Sequence, residues 1–329
     1  MADRWLTPVL ALLSLIAIFG ACLLGSTALP IDRLLVAFFG GGEAGDRLVV
    51  WAIRLPRALA AFLVGAALGL SGAALQGLLR NPLAEPGVLG VSATASLMAT
   101  FSIYYGLVAL NPWILPLMAI LGALVATALL ALAAIRTRSV VTLILIGVGL
   151  SSFAGAAMSL LMNLAPNPFS LADMINWMLG SVANRSFDEI ALALPFMVVG
   201  AAILLITRRG LSALTLGEEA ADGIGLNLRN QRIFTVLGAG LATGASVALA
   251  GAIGFVGIVA PHVIRPFVGH DPARSLIPSA LLAGLILVVA DIGVRVIPTD
   301  NELKLGVVAA LIGAPVFVWI AMQRRAVHD

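Results

Sequence analysis

Lysine is nearly missing from this sequence: among 329 residues the single one is Lys304, in Glu-Leu-Lys-Leu-Gly. A phosphate-binding P-loop needs Gly-x-x-x-x-Gly-Lys-Ser/Thr, so the chain cannot hold ATP by that motif and is not an ATPase on its own. Cysteine is equally scarce, and Cys22 alone excludes both an internal disulfide and a cysteine-rich metal site. Three histidines, with no His-Glu-x-x-His and no Gly-x-Ser-x-Gly, leave no conventional hydrolytic centre. His262 and His270 lack a carboxylate at metal-ligand spacing, so no metal site is assigned. Charge is sparse too, at 11% of residues against roughly a quarter in soluble domains. The 19 basic residues are scattered and form no patch with interleaved aromatics, which gives nucleic acid no footing.

What fills the chain instead is apolar: 61% hydrophobic residues and a mean hydropathy of +1.09. A bilayer core about 30 Å thick takes about 20 apolar residues per helix. Runs of that order occur at about 7–29, 56–79, 88–106, 112–135, 139–162, 191–207, 233–252, 253–268, 276–297 and 305–322. None alternates as a barrel strand would, so the fold expected is all-α: a polytopic membrane protein of about ten spans, forming one transmembrane domain over 1–329. The run from Trp5 to Leu24 reads as a first span despite the cleavage-like Ser26-Thr27-Ala28. It is longer than a signal's apolar region, and Asp3 cancels Arg4.

An even number of spans puts both termini on one side. With that side cytoplasmic, Arg4, Arg80, Arg136, Arg138, Arg208, Arg209, Arg229, Arg232, Arg265, Arg274, Arg324 and Arg325 lie inside, 12 of the 19 basic residues. The outside keeps Arg33, Arg47, Arg54, Arg57, Arg185, Arg295 and Lys304, diluted by acids, as the positive-inside rule requires. A constant offset also matches Gly65 to Gly244, Gly72 to Gly251 and Pro82 to Pro261, which suggests an inverted internal repeat. Chance matching between Gly/Ala-rich segments is the competing explanation.

Several segments depart from the apolar rule. In LLRNPLAEPGVLGV, Asn81, Pro82 and Pro86 forbid a continuous helix, so the chain leaves and re-enters the membrane there. Gln76, just upstream, either bonds to a neighbouring helix or serves the pathway. Gly65, Gly69 and Gly72 precede it at spacings that permit close helix approach. Pro261 and Pro266 interrupt the eighth run. Asp291 is the one acid well inside a run, which makes it a functional candidate by default, and Arg295 stands at the i+4 position for an ion pair. Arg54 and Arg57, at the mouth of the second run, either snorkel to the interface or face a partner. Between runs six and seven, inside a segment of about 208–232, LTLGEEAADGIGLNL sets Glu218, Glu219 and Asp222 around Ala220 and Ala221.

The blocks RLPRALAAFLVGAALGLSGAALQGLLRNPLAEPGVLGV (54–91), GFVGIVAPHVIRPFVGHDPARSLIP (254–278), LLAGLILVVADIGVR (281–295) and ELKLGVVAALIGAPVFVW (302–319) closely resemble permease subunits of type II ABC importers for iron-siderophores, haem and vitamin B12. The resemblance runs over nearly the whole chain. It implies ten helices per chain, a homodimer around a central pathway, two cytoplasmic ATPase subunits that bind ATP and magnesium, and an external substrate-binding protein, all at a bacterial inner membrane. It implies no cofactor on this chain. By resemblance, Leu216, Gly217, Glu218, Glu219, Ala220, Ala221, Asp222 and Gly225 form the ATPase-coupling segment, since Glu219-Ala220-Ala221 and Gly225 match the importer spacing. Arg54, Arg57 and Arg295 match the arginines that receive acids of the binding protein, which moves Arg295 away from a plain ion pair. The resemblance assigns the pathway to spans five and ten, where Gly147, Gly149, Ser151, Ser152, Ala309 and Gly313 are the candidate lining. Iron(III)-siderophore is the first expectation for cargo, with cobalamin and haem behind it. A proton-coupled carrier built on Asp291 is the alternative of a different class.

Overall fold

The computed structural model describes residues 2–25, 29–137, 139–297 and 302–323. Ser26, Thr27, Ala28, Arg138, Arg324 and Arg325, which bear on processing and topology, lie outside them, and the Arg4 side chain is likewise not described. Among the described residues every regular element is helical: α1 Ala2–Leu23, α2 Ile31–Phe38, α3 Ala44–Leu48, α4 Leu55–Leu78, α5 Val91–Tyr104, α6 Ile114–Arg136, α7 Val140–Asn163, α8 Pro168–Met178, α9 Phe187–Ala213, α10 Glu218–Gly223, α11 Leu228–Ala250, α12 Val256–Ile264, α13 Pro272–Val296 and α14 Leu305–Gln323. All ten apolar runs are helices. Among the described residues seven stretches are long and apolar enough to cross a bilayer, and Val91–Tyr104, Val256–Val268 and Leu305–Val318 are shorter.

The ends of the helices differ from the sequence expectation for local reasons. The first run stops at Leu23 rather than 29. The second begins far upstream, because α3 passes through a π-helical turn, Val49–Arg54, into α4 without a break. The sixth starts at Phe187 rather than 191, where Ser186 and Glu189 form a reciprocal capping box. The ninth starts at Pro272, behind an Asp271 cap with proline in the first turn. The third starts at Val91, because Pro86–Leu89 is a 3-10 turn and Gly90 is left-handed. The eighth is α-helical only over 256–264 and finishes as a 3-10 turn where Pro266 removes a donor. Short α2 and α8 lie outside all ten runs. Proline in the first turn and the Asn167 cap were the sequence signals for α8.

The centre of the bundle is α4 and α11, each with 78% of its most apolar window buried, against 22% for α1 and 17% for α7. Small residues set the spacing. A methyl group at Gly65 would stand 2.4 Å from the Ala283 carbonyl oxygen, at Gly69 2.5 Å from that of Ser279, and at Gly72 1.9 Å from that of Gly257. Backbones therefore touch, and α4 lies antiparallel to α13. Gly200 and Gly238 do the same between α9 and α11, and Gly240 meets Thr127 on α6.

The order long, short, long recurs in α4–α5–α6 and α11–α12–α13, which supports a repeat. The residue register of the sequence match does not carry over. Gly72 lies mid-helix while Gly251 is a left-handed helix cap, and Pro82 lies in a turn while Pro261 lies inside α12.

Candidate functional site

Two charged sites occupy opposite ends of the α4–α13 pair. At one end Gly77 meets Pro272 and Leu211, and Ser212 bonds to Asp271, so the ends of α4 and α9 and the start of α13 converge. The other end holds Arg54, Arg57, Asp291 and Arg295. Helix α4, 24 residues long, separates them by about 35 Å at 1.5 Å per residue.

At the first end the non-helical part of segment 208–232 is narrow, because α9 runs on to Ala213 and α11 starts at Leu228. Between them Leu214–Leu216 makes a 3-10 turn and Gly217, at φ +101°, turns the chain into α10. Helix α10 carries Glu218 and Glu219 in its first turn, where its dipole favours them. It ends as a Schellman motif: Gly225 donates to the Asp222 carbonyl at 2.8 Å and Leu226 to that of Ala221 at 3.0 Å. Gly225 sits at φ +90°, which a β-carbon opposes. Glu218 turns back to Arg232 at 2.9 Å and Ala221 is fully buried, so the helix is fastened on its inner side. Outward it shows Glu219, Ala220 and Asp222, flanked by Leu216 and Ile224 at 67% and 68% exposure. Beside it a groove of about 570 Å³ runs past Glu218, Asp222, Arg229 and Arg232.

At the second end the three arginines are committed within the chain. Arg57 meets the Asp291 carboxylate at 2.8–3.1 Å and also bonds Glu302. Arg295 reaches the same carboxylate at 3.2 Å, so the i+4 ion pair that the resemblance had set aside is present. Arg54 donates to the carbonyls of Cys22 and Leu23, and Arg295 to those of Ala21 and Leu24. These are the carbonyls a helix leaves unsatisfied at its C-terminus, and guanidinium groups complement the negative end of its dipole. The two arginines thus close the end of α1. Arg54 and Arg57 are 5% and 8% exposed, buried rather than snorkelling.

The pathway candidates divide. Gly149 and Ser152 on α7 face outward, and nothing lies within 4 Å of a methyl group built at Gly149. Gly147 and Ser151 instead face the 86–89 turn: a methyl group at Gly147 would stand 2.7 Å from the Val88 carbonyl oxygen, and Ser151 donates to that of Gly87 at 3.4 Å. On α14, Ala309 and Gly313 are both buried, Gly313 against Phe255.

The 79–90 connection is not a surface loop. Pro82, Ala84, Pro86, Leu89 and Gly90 are buried in it, whereas Asn81 is exposed and accepts from the Leu83 amide. Gln76 resolves into a bond to a neighbour: it donates to Ala84 and Gly257 carbonyls and accepts from Arg265 at 2.8 Å. Sequence reasoning missed Glu85 and Glu302. Both lie outside the apolar runs, and only a neighbouring pair of prolines (82 and 86) and a lone acid two residues before Lys304 marked their places.

Residues 11–323 match the FecCD transport family. The chain is 39% identical over 319 residues to an uncharacterized ABC transporter permease, YvrB of Bacillus subtilis, covering 92% of this chain and 88% of that one. It is 40% identical over 313 residues to the vitamin B12 import system permease BtuC of Klebsiella pneumoniae, covering 92% and 94%. The BtuC of Citrobacter koseri is 39% identical over 98% of this chain and 95% of its own. Among solved structures, an inward-facing conformation of a metal-chelate type ABC transporter superimposes with a TM-score of 0.85 at 29% identity, covering 97% of this chain and 99% of that chain.

Proposed function

Because this chain belongs to the FecCD transport family and is the permease of an ABC importer of the metal-chelate or B12 type, we propose that it carries a bulky metal chelate across a bacterial inner membrane by alternating access. Two copies enclose the pathway, with both termini cytoplasmic. An external binding protein delivers cargo at the arginine end, and two ATPase subunits, which hold ATP and magnesium, work at the α10 end. The relatives named for vitamin B12 import favour cobalamin, ahead of the iron(III)-siderophore that the sequence first suggested. Haem is disfavoured, since no histidine lies near the candidate entry and the only tyrosines are Tyr104 and Tyr105. Identifying the binding protein and titrating it with cobalamin, a ferric siderophore and haem tests the cargo.

The observation that carries the ATP-driven reading is α10: an exposed acidic and apolar knob, internally fastened and Schellman-capped, in a chain without a P-loop. A short rigid helix on two hinged ends can seat in a groove of an ATPase and pass its closure to α9 and α11. Gly225→Pro forces φ to about −65° and deletes the donor to Asp222. It is expected to lower ATPase affinity tenfold or more, about 1.4 kcal/mol, in co-purification and binding assays. Glu219→Arg, which leaves the fold untouched, gives the same loss if the knob is the contact. Full ATP-driven transport in either variant sinks the assignment.

Arg54, Arg57 and Arg295 gather positive charge at the far end, and the docking role proposed for them predicts salt-sensitive association. Arg295→Glu is expected to weaken binding-protein docking most at low ionic strength. Since Arg295 also holds the end of α1, docking is read alongside the thermal midpoint. Unchanged affinity in a folded variant counts against the role.

Asp291 is 1% exposed, with both carboxylate oxygens accepting from guanidinium groups. This supports a structural ion pair over a proton carrier.

A further inference from the structure

The two helices assigned to the pathway, α7 and α14, have different neighbours. Helix α7 packs on α5, α6 and the 86–89 turn, whereas α14 packs on α12 and α13. Among the side chains that bridge these sets is that of Glu85. The Glu85 carboxylate, at the head of the turn that Gly147 and Ser151 seat on α7, accepts a hydrogen bond at 2.5 Å from the backbone N–H of Phe255, 170 positions along the chain. Phe255 is the N-cap of α12 at φ +66° and ψ −29°. A residue with a bulky side chain rarely takes that conformation and keeps it only where its surroundings impose it. A carboxylate at a helix N-terminus is also placed where the dipole favours it. The Phe255 side chain in turn rests on α14: its Cβ stands 2.3 Å from where a methyl group at Gly313 would be, and its ring meets that of Phe317 edge-on, with centroids 6.4 Å apart. Below this, Gln76 ties the same turn and α12 together through Ala84, Gly257 and Arg265. Around Phe255 an apolar hollow of about 580 Å³ opens, lined by Leu179, Gly254, Ala310, Leu311 and Ala314.

We propose that Glu85 is a positioning residue for transport, holding Phe255 in its left-handed conformation and so transmitting displacement of the α7 side of the pathway to the α14 side. The proposal rests on the reading of this chain as an ABC importer permease with α7 and α14 along the pathway. If Glu85 is removed, nothing anchors the Phe255 amide to the turn. Phe255 then relaxes toward right-handed backbone, its ring leaves Gly313, and the α7 and α14 sides move independently.

The test uses the permease assembled with its ATPase in lipid, in a Cys22→Ala background, with spin labels at Gly149 on α7 and Leu311 on α14, both outward-facing. Their distance distribution is recorded without nucleotide and with a trapped ATP analogue. The wild type is expected to shift between the two states. Glu85→Ala is expected to abolish that shift and to broaden the distribution at least twofold, while ATP hydrolysis continues. Glu85→Gln keeps an oxygen acceptor for the Phe255 amide and is expected to restore the shift, which it would not do if the charge were what mattered. A normal shift in Glu85→Ala overturns the proposal. Phe255→Gly supplies a second route that tolerates the backbone conformation but lacks the ring. It too should lose the shift, so if Glu85→Ala fails to fold, a normal shift in Phe255→Gly overturns the proposal instead. A wild type whose distance ignores nucleotide defeats the functional reading first, and the proposal with it.

Discussion

Gly72→Ala is expected to destabilise the bundle by about 3 kcal/mol, the upper end of what one added methyl group costs in a close-packed core. The new Cβ would stand 1.9 Å from the Gly257 carbonyl oxygen and 2.7 Å from its carbonyl carbon. Neither atom is the end of a flexible side chain, so α12 must move as a body. It cannot do so cheaply, because Gln76 and Glu85 fasten it through Gly257, Arg265 and Phe255. The measurement is thermal unfolding in detergent, compared with Gly149→Ala, where nothing lies within 4 Å and helix propensity improves. The first variant should lose much of its folded yield and the second none. Equal midpoints would mean that α4 and α12 are not in backbone contact.

The second large effect belongs to Asp291. Replacing it with alanine leaves Arg57 and Arg295, with side chains 10% and 8% exposed, facing each other across the vacated position. Removing one member of a buried ion pair commonly costs about 3–5 kcal/mol, because the remaining charge stays desolvated. Arg57 retains Glu302 and Arg295 retains two carbonyls of the α1 end, so Asp291→Ala should lie at the lower side of that range. Asp291→Asn, which keeps the shape and one acceptor, should fall between it and the wild type. The thermal midpoint reads the cost. Transport by the surviving folded fraction separates the two functional classes, since an ATP-driven permease keeps its rate per folded molecule and a carrier that protonates Asp291 loses it.

The arrangement of helices was largely legible because apolar length is a direct physical signal: no soluble fold needs ten such runs. What the sequence hid were features set by partners distant in the chain. The apolar run to Leu24 marked where α1 ends, but not that Arg54 and Arg295 hold its last carbonyls. The placement of Glu85 depends on Phe255. Pro82 and Pro86 correctly announced a break but not its depth, since a proline says that a helix ends and not where the chain goes next. Arg54, Arg57 and Arg295 were found by pattern, while Glu302, the internal partner of Arg57, was not, because an acid between apolar runs looks like any loop acid. In α10 the reverse holds. Every determinant lies within about twenty residues, and the glycine that ends the helix was visible in advance.

The end of α1 has a consequence for how the protein is made. Two of its carbonyls, Ala21 and Leu24, are satisfied by Arg295, which lies 274 and 271 positions later in the chain. At about 5–20 residues per second, a ribosome emits Arg295 roughly 15–55 s after α1 has entered the membrane. During that interval Arg54 is the only one of the two caps available, and the new helix ends in carbonyls that must borrow water at the bilayer surface. Seating of the first helix is thus completed by almost the last one synthesised. A chain interrupted before α13 lacks the Arg295 donor to these carbonyls.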